Sequence, residues 1–162
     1  TVKWGKGQKR PWNADLKVLT TFKLGECFVK VQNRESDVYG KIYAARKRLE
    51  LERNAAGLFA EQAANILATR NIGKDTEAYK AYIVGKLPPA HLHARARRYA
   101  VKLFLAHFHC VAYWHEYGKL PPLPYPVVHL GHAHVIWPPN YEMFAGLSEA
   151  IHAEGAVACR SI

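Results

Sequence analysis

Apolar residues recur at helical spacing almost from the start of the chain. Leu16, Leu19, Phe22, Leu24, Cys27, Phe28 and Val31 fall on one side, and Lys17, Lys23 and Lys30 on the other. With Asn13 as a plausible N-cap, the pattern predicts a helix to about Val31 despite Gly25. After a polar turn, Ser36 caps a second helix through YGKIYAARKRLELERN. Its expected inner stripe is Val38, Ile42, Ala45 and Leu49, with Arg46, Lys47, Arg48 and Arg53 outside. Glu50 and Glu52 are placed to pair with some of these charges. Ala55 to Thr69 reads as a third helix, ended by Asn71 and Gly73. Asp75 or Thr76 opens a short fourth helix that closes at Gly85. Pro88-Pro89 then leads into AHLHARARRYAVKLFLAHFHCVAYWHEYG, one long helix over about 91–117 that ends at Gly118. Its inner stripe is Ala96, Ala100, Leu103, Phe104, His107, Val111 and Trp114, and a middle apolar nearly all round marks a central helix.

Beyond Gly118, six of the nine prolines fall within KLPPLPYPVVHLGHAHVIWPPN, which forbids a long helix there. VVHLGHAHVIW is compatible with a short strand or hairpin, and Tyr141 to Cys159 with a closing helix. The expected fold is mainly α: a helical bundle around the long central helix, with a Pro/His-rich extended region packed against it. Residues 1–12 form a basic arm, 13–118 the helical domain, and 119–162 the Pro/His-rich extension with its C-terminal helix, packed on the same domain.

At 162 residues and 49% hydrophobic content, the chain has material for one real core. The N-terminus lacks the apolar stretch of a signal peptide, and no run approaches the roughly 20 apolar residues of a membrane span. Cys27, Cys110 and Cys159 are isolated, which is neither a disulfide framework nor a metal-binding CxxC pair, so a reducing, cytoplasmic compartment is expected. The net charge of +10 is uneven. Residues 1–53 carry 13 Lys/Arg against 6 Asp/Glu, residues 91–118 carry 4 against 1, and residues 119–162 are nearly neutral. Such asymmetry fits one basic surface presented to a polyanion, with nucleic acid the expected partner. No segment combines a basic face with an exposed Trp/Leu face, so a membrane partner is not expected. An oligomer or larger assembly remains compatible with the sequence.

The candidate phosphate contacts are Lys3, Lys6, Lys9 and Arg10 on the arm, Arg46 and Lys47 on the second helix, and a stripe on the long helix. His91, Arg95, Arg98 and Lys102 are spaced 4, 3 and 4 apart and so project from one side, outward in this reading. Guanidinium forks match phosphate geometry. Nine histidines include three His-x-His pairs: His91/His93, His107/His109 and His132/His134. On a helix, residues two apart diverge by about 200°, so only a strand would let such a pair chelate. His129, His132 and His134 are therefore the candidate zinc or divalent-metal set, against the simpler expectation of no cofactor and histidines anchoring a loop. His107 is expected to be a satisfied core residue. GxSxG, P-loop and Rossmann fingerprints are absent, which leans against an enzyme and nominates no catalytic residue.

Three stretches, RPWNADLK followed by ECFVKV, then PPAHLHARARRYAVKLFLAH, then PYP…HLGHAH, together resemble short proteins of bacterial and phage-like mobile elements labelled transposase or transposase-associated. The resemblance implies DNA as the polyanion and carries over no catalytic residue. The leading expectation is a DNA-binding module of a mobile genetic element that grips mainly phosphates. The alternatives are a structural protein of an RNA–protein assembly and a small metal-dependent nuclease.

Overall fold

The computed structural model describes residues 5, 7–9, 11–131 and 135–139. The protein is mainly helical, with no strand among the described residues. It divides into two compact units, Thr1–Val101 and Lys102–Ile162, the division falling inside the long helix.

In the first unit the opening helical stretch has three parts: α1 (Ala14–Lys17), a π-helical segment (Val18–Leu24) and α2 (Gly25–Val31). The Asn13 side chain accepts from the Leu16 N–H at 2.9 Å and caps α1. The Thr20 hydroxyl donates back to the Leu16 carbonyl at 2.8 Å, and the Gly25 N–H reaches the Thr20 carbonyl five residues back. That competition from a side-chain hydroxyl accompanies the widened turn. The expected apolar stripe is not a buried one. Phe28 is buried, whereas Trp12, Leu16, Leu19 and Phe22 are exposed beside Lys17 and Lys23. An exposed Trp/Leu surface next to lysines therefore does exist, contrary to the expectation from the pattern. No helix among the described residues is long and apolar enough to cross a membrane.

Helix α3 (Val38–Ala55) is capped by Asp37, one residue past the expected Ser36. Its buried face is Gly40, Tyr43 and Glu50 rather than the apolar stripe read from the sequence, since Val38 and Leu49 are exposed. Gly40 marks the closest approach on that face. A Cβ there would sit 2.8 Å from the Gln32 Cα, so only glycine lets α3 start this close to the end of α2. At Gly25 a Cβ would lie 2.7 Å from the Arg97 Cγ, so a larger residue there requires the Arg97 side chain to shift. The chain breaks at Gly57, whose φ of +76° favours glycine, so α4 is Ala60–Thr69 and the expected helix from Ala55 loses its first turn. Thr76 caps α5 (Glu77–Ile83). Phe59, Ala63, Tyr82, Leu87 and Leu92 form the core here, with Ile66, Leu67, Ile72 and Ala78 packed against it. Asn54 ties α3 to it by accepting from the Leu87 N–H (2.8 Å) and donating to the Leu87 carbonyl (3.0 Å).

Helix α6 (Pro89–Tyr117) is the long helix, and Ala96, Ala100 and Val101 are buried along it in the first unit. In the second unit His107 and Cys110 are buried on the remainder of α6, while Val111, expected inside, is 40% exposed. After an irregular 119–124 stretch comes α7 (Tyr125–Leu130), so the part of VVHLGHAHVIW up to Leu130 is helical where a strand or hairpin was compatible with the sequence. Pro126 lies in the first turn, where its missing N–H costs nothing, and Gly131 at φ +66° ends the helix. Residues 135–138 belong to no helix or strand. The expected closing helix, 141–159, lies outside the described residues.

Candidate nucleic-acid interface

The chemistry of the first unit centres on Glu50, a carboxylate with no exposed surface. One oxygen accepts from Arg46 Nε at 2.7 Å and lies 2.6 Å from Arg46 Nη2. The other accepts from Arg95 Nε at 2.7 Å. Arg95 also donates from Nη1 to the Gln62 amide oxygen at 3.2 Å. Each guanidinium lies over a ring: Arg46 over Tyr99 at 4.5 Å, and Arg95 over Phe59 at 4.7 Å. Burial alone would raise the Glu50 pKa, but hydrogen bonds from Arg95 and Arg46, with their charges, outweigh it and hold the carboxyl below its ordinary value. Two cations face one anion, and both retain partial exposure, 23% for Arg46 and 26% for Arg95.

The first His-x-His pair behaves as helix geometry requires. His91 and His93 point to different neighbours, each engaging a tyrosine hydroxyl through Nδ1. Tyr82 of α5 meets His91 at 3.2 Å, and Tyr43 of α3 meets His93 at 2.8 Å. The two contacts pin the start of α6 to two helices. Desolvation lowers the pKa of both rings, and nearby cations add to it: Arg95, Arg98 and Arg70 around His91, and Arg97 and Lys47 around His93. Arg97 pairs with Glu26, which also lies 4.0 Å from His93 Nε2.

The expected basic stripe therefore splits. Arg98 is exposed and forms no ion pair among the described residues, and the same is true of Arg70 at the end of α4. Arg95 and His91 do not project freely outward as expected; both are half-buried, because Glu50 and Tyr82 supply partners from neighbouring helices. Arg46 is drawn in by the same carboxylate. Lys47 is half-buried with its ammonium 5.9 Å from the Tyr43 ring centre. Lys9 is exposed, and Lys102 is exposed in the second unit. Lys3, Lys6 and Arg10 lie outside the described residues.

Only one member of the candidate metal set falls among the described residues. His129 is on α7, and His132 and His134 lie outside the described residues. Among the described residues no group of three or more His, Cys, Asp or Glu is placed to hold a metal ion. His107 is 4% exposed and bonds the Ile136 carbonyl at 2.8 Å through Nε2, the satisfied core role expected of it. Desolvation lowers its pKa against the opposing pull of that carbonyl.

Sequence reasoning missed Arg70, Gln62 and the burial of Glu50. The i,i+4 spacing of Arg46 and Glu50 was visible, but nothing local announces that Arg95, 45 residues on, completes the set. Compared with known protein families, characterised proteins and solved structures, the chain gives no match.

Proposed function

We propose that the protein binds nucleic acid mainly through phosphates, using the surface around His91 on which the charges of Arg95 and Arg98 of α6 and Arg70 at the end of α4 bear, with Arg95 held by the Glu50 that Arg46 shares. The observation that carries the reading is a local excess of fixed positive charge. Arg46 and Arg95 share one carboxylate, Glu50, and the charges of Arg98 and Arg70, which have no ion-pair partner among the described residues, bear with that of Arg95 on His91. A polyanion neutralises such a surface and releases its own counterions on binding. Arg46 and Arg95 act there as braced charges, with orientations set by Glu50, Gln62 and the rings beneath them. The resemblance to transposase-associated proteins favours DNA over RNA and a role as the DNA-binding module of a mobile element. The test is a binding series on duplex DNA, single strands and structured RNA at two salt concentrations. Salt-sensitive binding, strongest to DNA, is expected. Absence of binding to every nucleic acid at low salt overturns the reading.

A further inference from the structure

The same surface differs from a general phosphate-binding face in one respect: a histidine sits among its arginines. His91, Arg95 and Arg98 share one side of α6 at spacings of 4 and 3. The charges of Arg95, Arg98 and Arg70 all bear on the His91 ring. Tyr82 occupies Nδ1, and in the tautomer where its hydroxyl donates there, the ring proton sits on Nε2. That gives a neutral N–H donor among three cations, one of them, Arg95, braced by Glu50 and Gln62.

We propose that Arg70, His91, Arg95 and Arg98 form a receptor for a phosphomonoester, the terminal phosphate of a nucleic-acid strand. The proposal rests on the nucleic-acid reading and deepens it. A backbone diester offers one negative charge, whereas a monoester carries about −1.5 to −2 at neutral pH and three acceptor oxygens. Three guanidinium groups and an imidazole N–H exceed what one diester can use and match a terminal phosphate in both charge and donor number. Among the described residues the only carboxylate bearing on His91 is Glu50, which is fully buried and already shared by two arginines. A phosphate dianion would thus meet no exposed acidic competitor among these groups.

The test is a fluorescence-anisotropy titration of the full chain with one single-stranded oligonucleotide in four forms. One is unphosphorylated, one 5′-phosphorylated, one 3′-phosphorylated, and one extended by a nucleotide to add a diester charge without a monoester. We expect at least one phosphorylated form to bind about tenfold more tightly than both unphosphorylated forms, equivalent to about 1.4 kcal/mol. Which end responds identifies the source of the phosphate. The preference should vanish in the Arg70→Gln/Arg98→Gln variant, whose exposed substitutions leave the melting temperature unchanged. It should survive His91→Gln, which keeps an N–H donor near Nε2, and weaken in His91→Leu. Equal affinity for all four forms, or a preference retained by the Arg70→Gln/Arg98→Gln variant, overturns the receptor while leaving general nucleic-acid binding intact. Failure of all four forms, with duplexes and RNA also unbound, overturns both.

Discussion

Replacing Arg95 with leucine should destabilise the fold, although arginine on a basic helix face would ordinarily be a tolerant position. The substitution leaves Glu50 fully buried with Arg46 as its remaining cation. Removing one partner of a buried ion pair costs about 3–5 kcal/mol. Arg95 is itself 26% exposed and Arg46 stays in place, so solvent and the second guanidinium reduce this to about 2–3 kcal/mol. Loss of the guanidinium above Phe59 adds about 0.5–1 kcal/mol. The total of about 3 kcal/mol corresponds to a fall of roughly 6–12 °C in melting temperature for a chain of this size. Arg98→Leu, three residues along the same helix and without an ion-pair partner among the described residues, should stay within about 0.5 kcal/mol of the parent. Thermal and urea unfolding followed by circular dichroism measure both. Glu50→Gln should also destabilise, and combining it with Arg95→Leu should cost less than the sum of the two. If Arg95→Leu melts with Arg98→Leu, the buried pair contributes nothing and the reasoning fails.

Stability should also fall as the pH drops below about 6.5. His91, His93 and His107 have depressed pKa values in the fold, so between those values and the unfolded one the unfolded chain binds more protons. Glu50, depressed in turn, adds a further loss below about pH 4.5 as its carboxylate is protonated. Melting temperatures from pH 4 to 8 check this, and a flat profile through the histidine range contradicts it. Gly40→Ala should cost at least about 1–3 kcal/mol, because its Cβ meets Gln32 main-chain atoms that cannot swing away; an unchanged urea midpoint would show that the helices separate freely. Asn54→Ala should cost about 2–4 kcal/mol by leaving the Leu87 N–H and carbonyl unpaired in a buried setting, again read by urea unfolding.

Several helices were legible because the residues that begin and end them act locally. Asn13, Thr76, Gly85 and Gly118 needed only their neighbours to set a cap or a left-handed turn. The break at Gly57 was readable in principle, but the alanines around it concealed it. The facing of α3 was not readable, because a charged residue, Glu50, is as fully buried as Tyr43 while an apolar one, Leu49, faces out. Hydrophobic periodicity assumes that carboxylates seek water, and Arg95, from a distant helix, removes that assumption. The site divides on the same line. The spacing of His91, Arg95 and Arg98 placed them on one side of α6. Which of them meets solvent depended on Glu50 and Tyr82, brought there by tertiary packing. The segment up to Leu130, compatible with a strand or hairpin by sequence, is helical because Pro126 suits the first turn of a helix as well as it interrupts a strand.

The measurement that bears most directly on the central claim is the salt dependence of DNA binding by the parent chain and by the Arg70→Gln/Arg98→Gln variant. Affinity of the parent should fall about a hundredfold or more between about 50 and 200 mM salt, as release of counterions from several phosphates requires. The variant, which keeps its fold, should bind more weakly at low salt and with a shallower slope, by about one unit for each phosphate it no longer neutralises. Identical slopes for parent and variant, or no binding by the parent at low salt, would contradict a phosphate-gripping surface at Arg70 and Arg98.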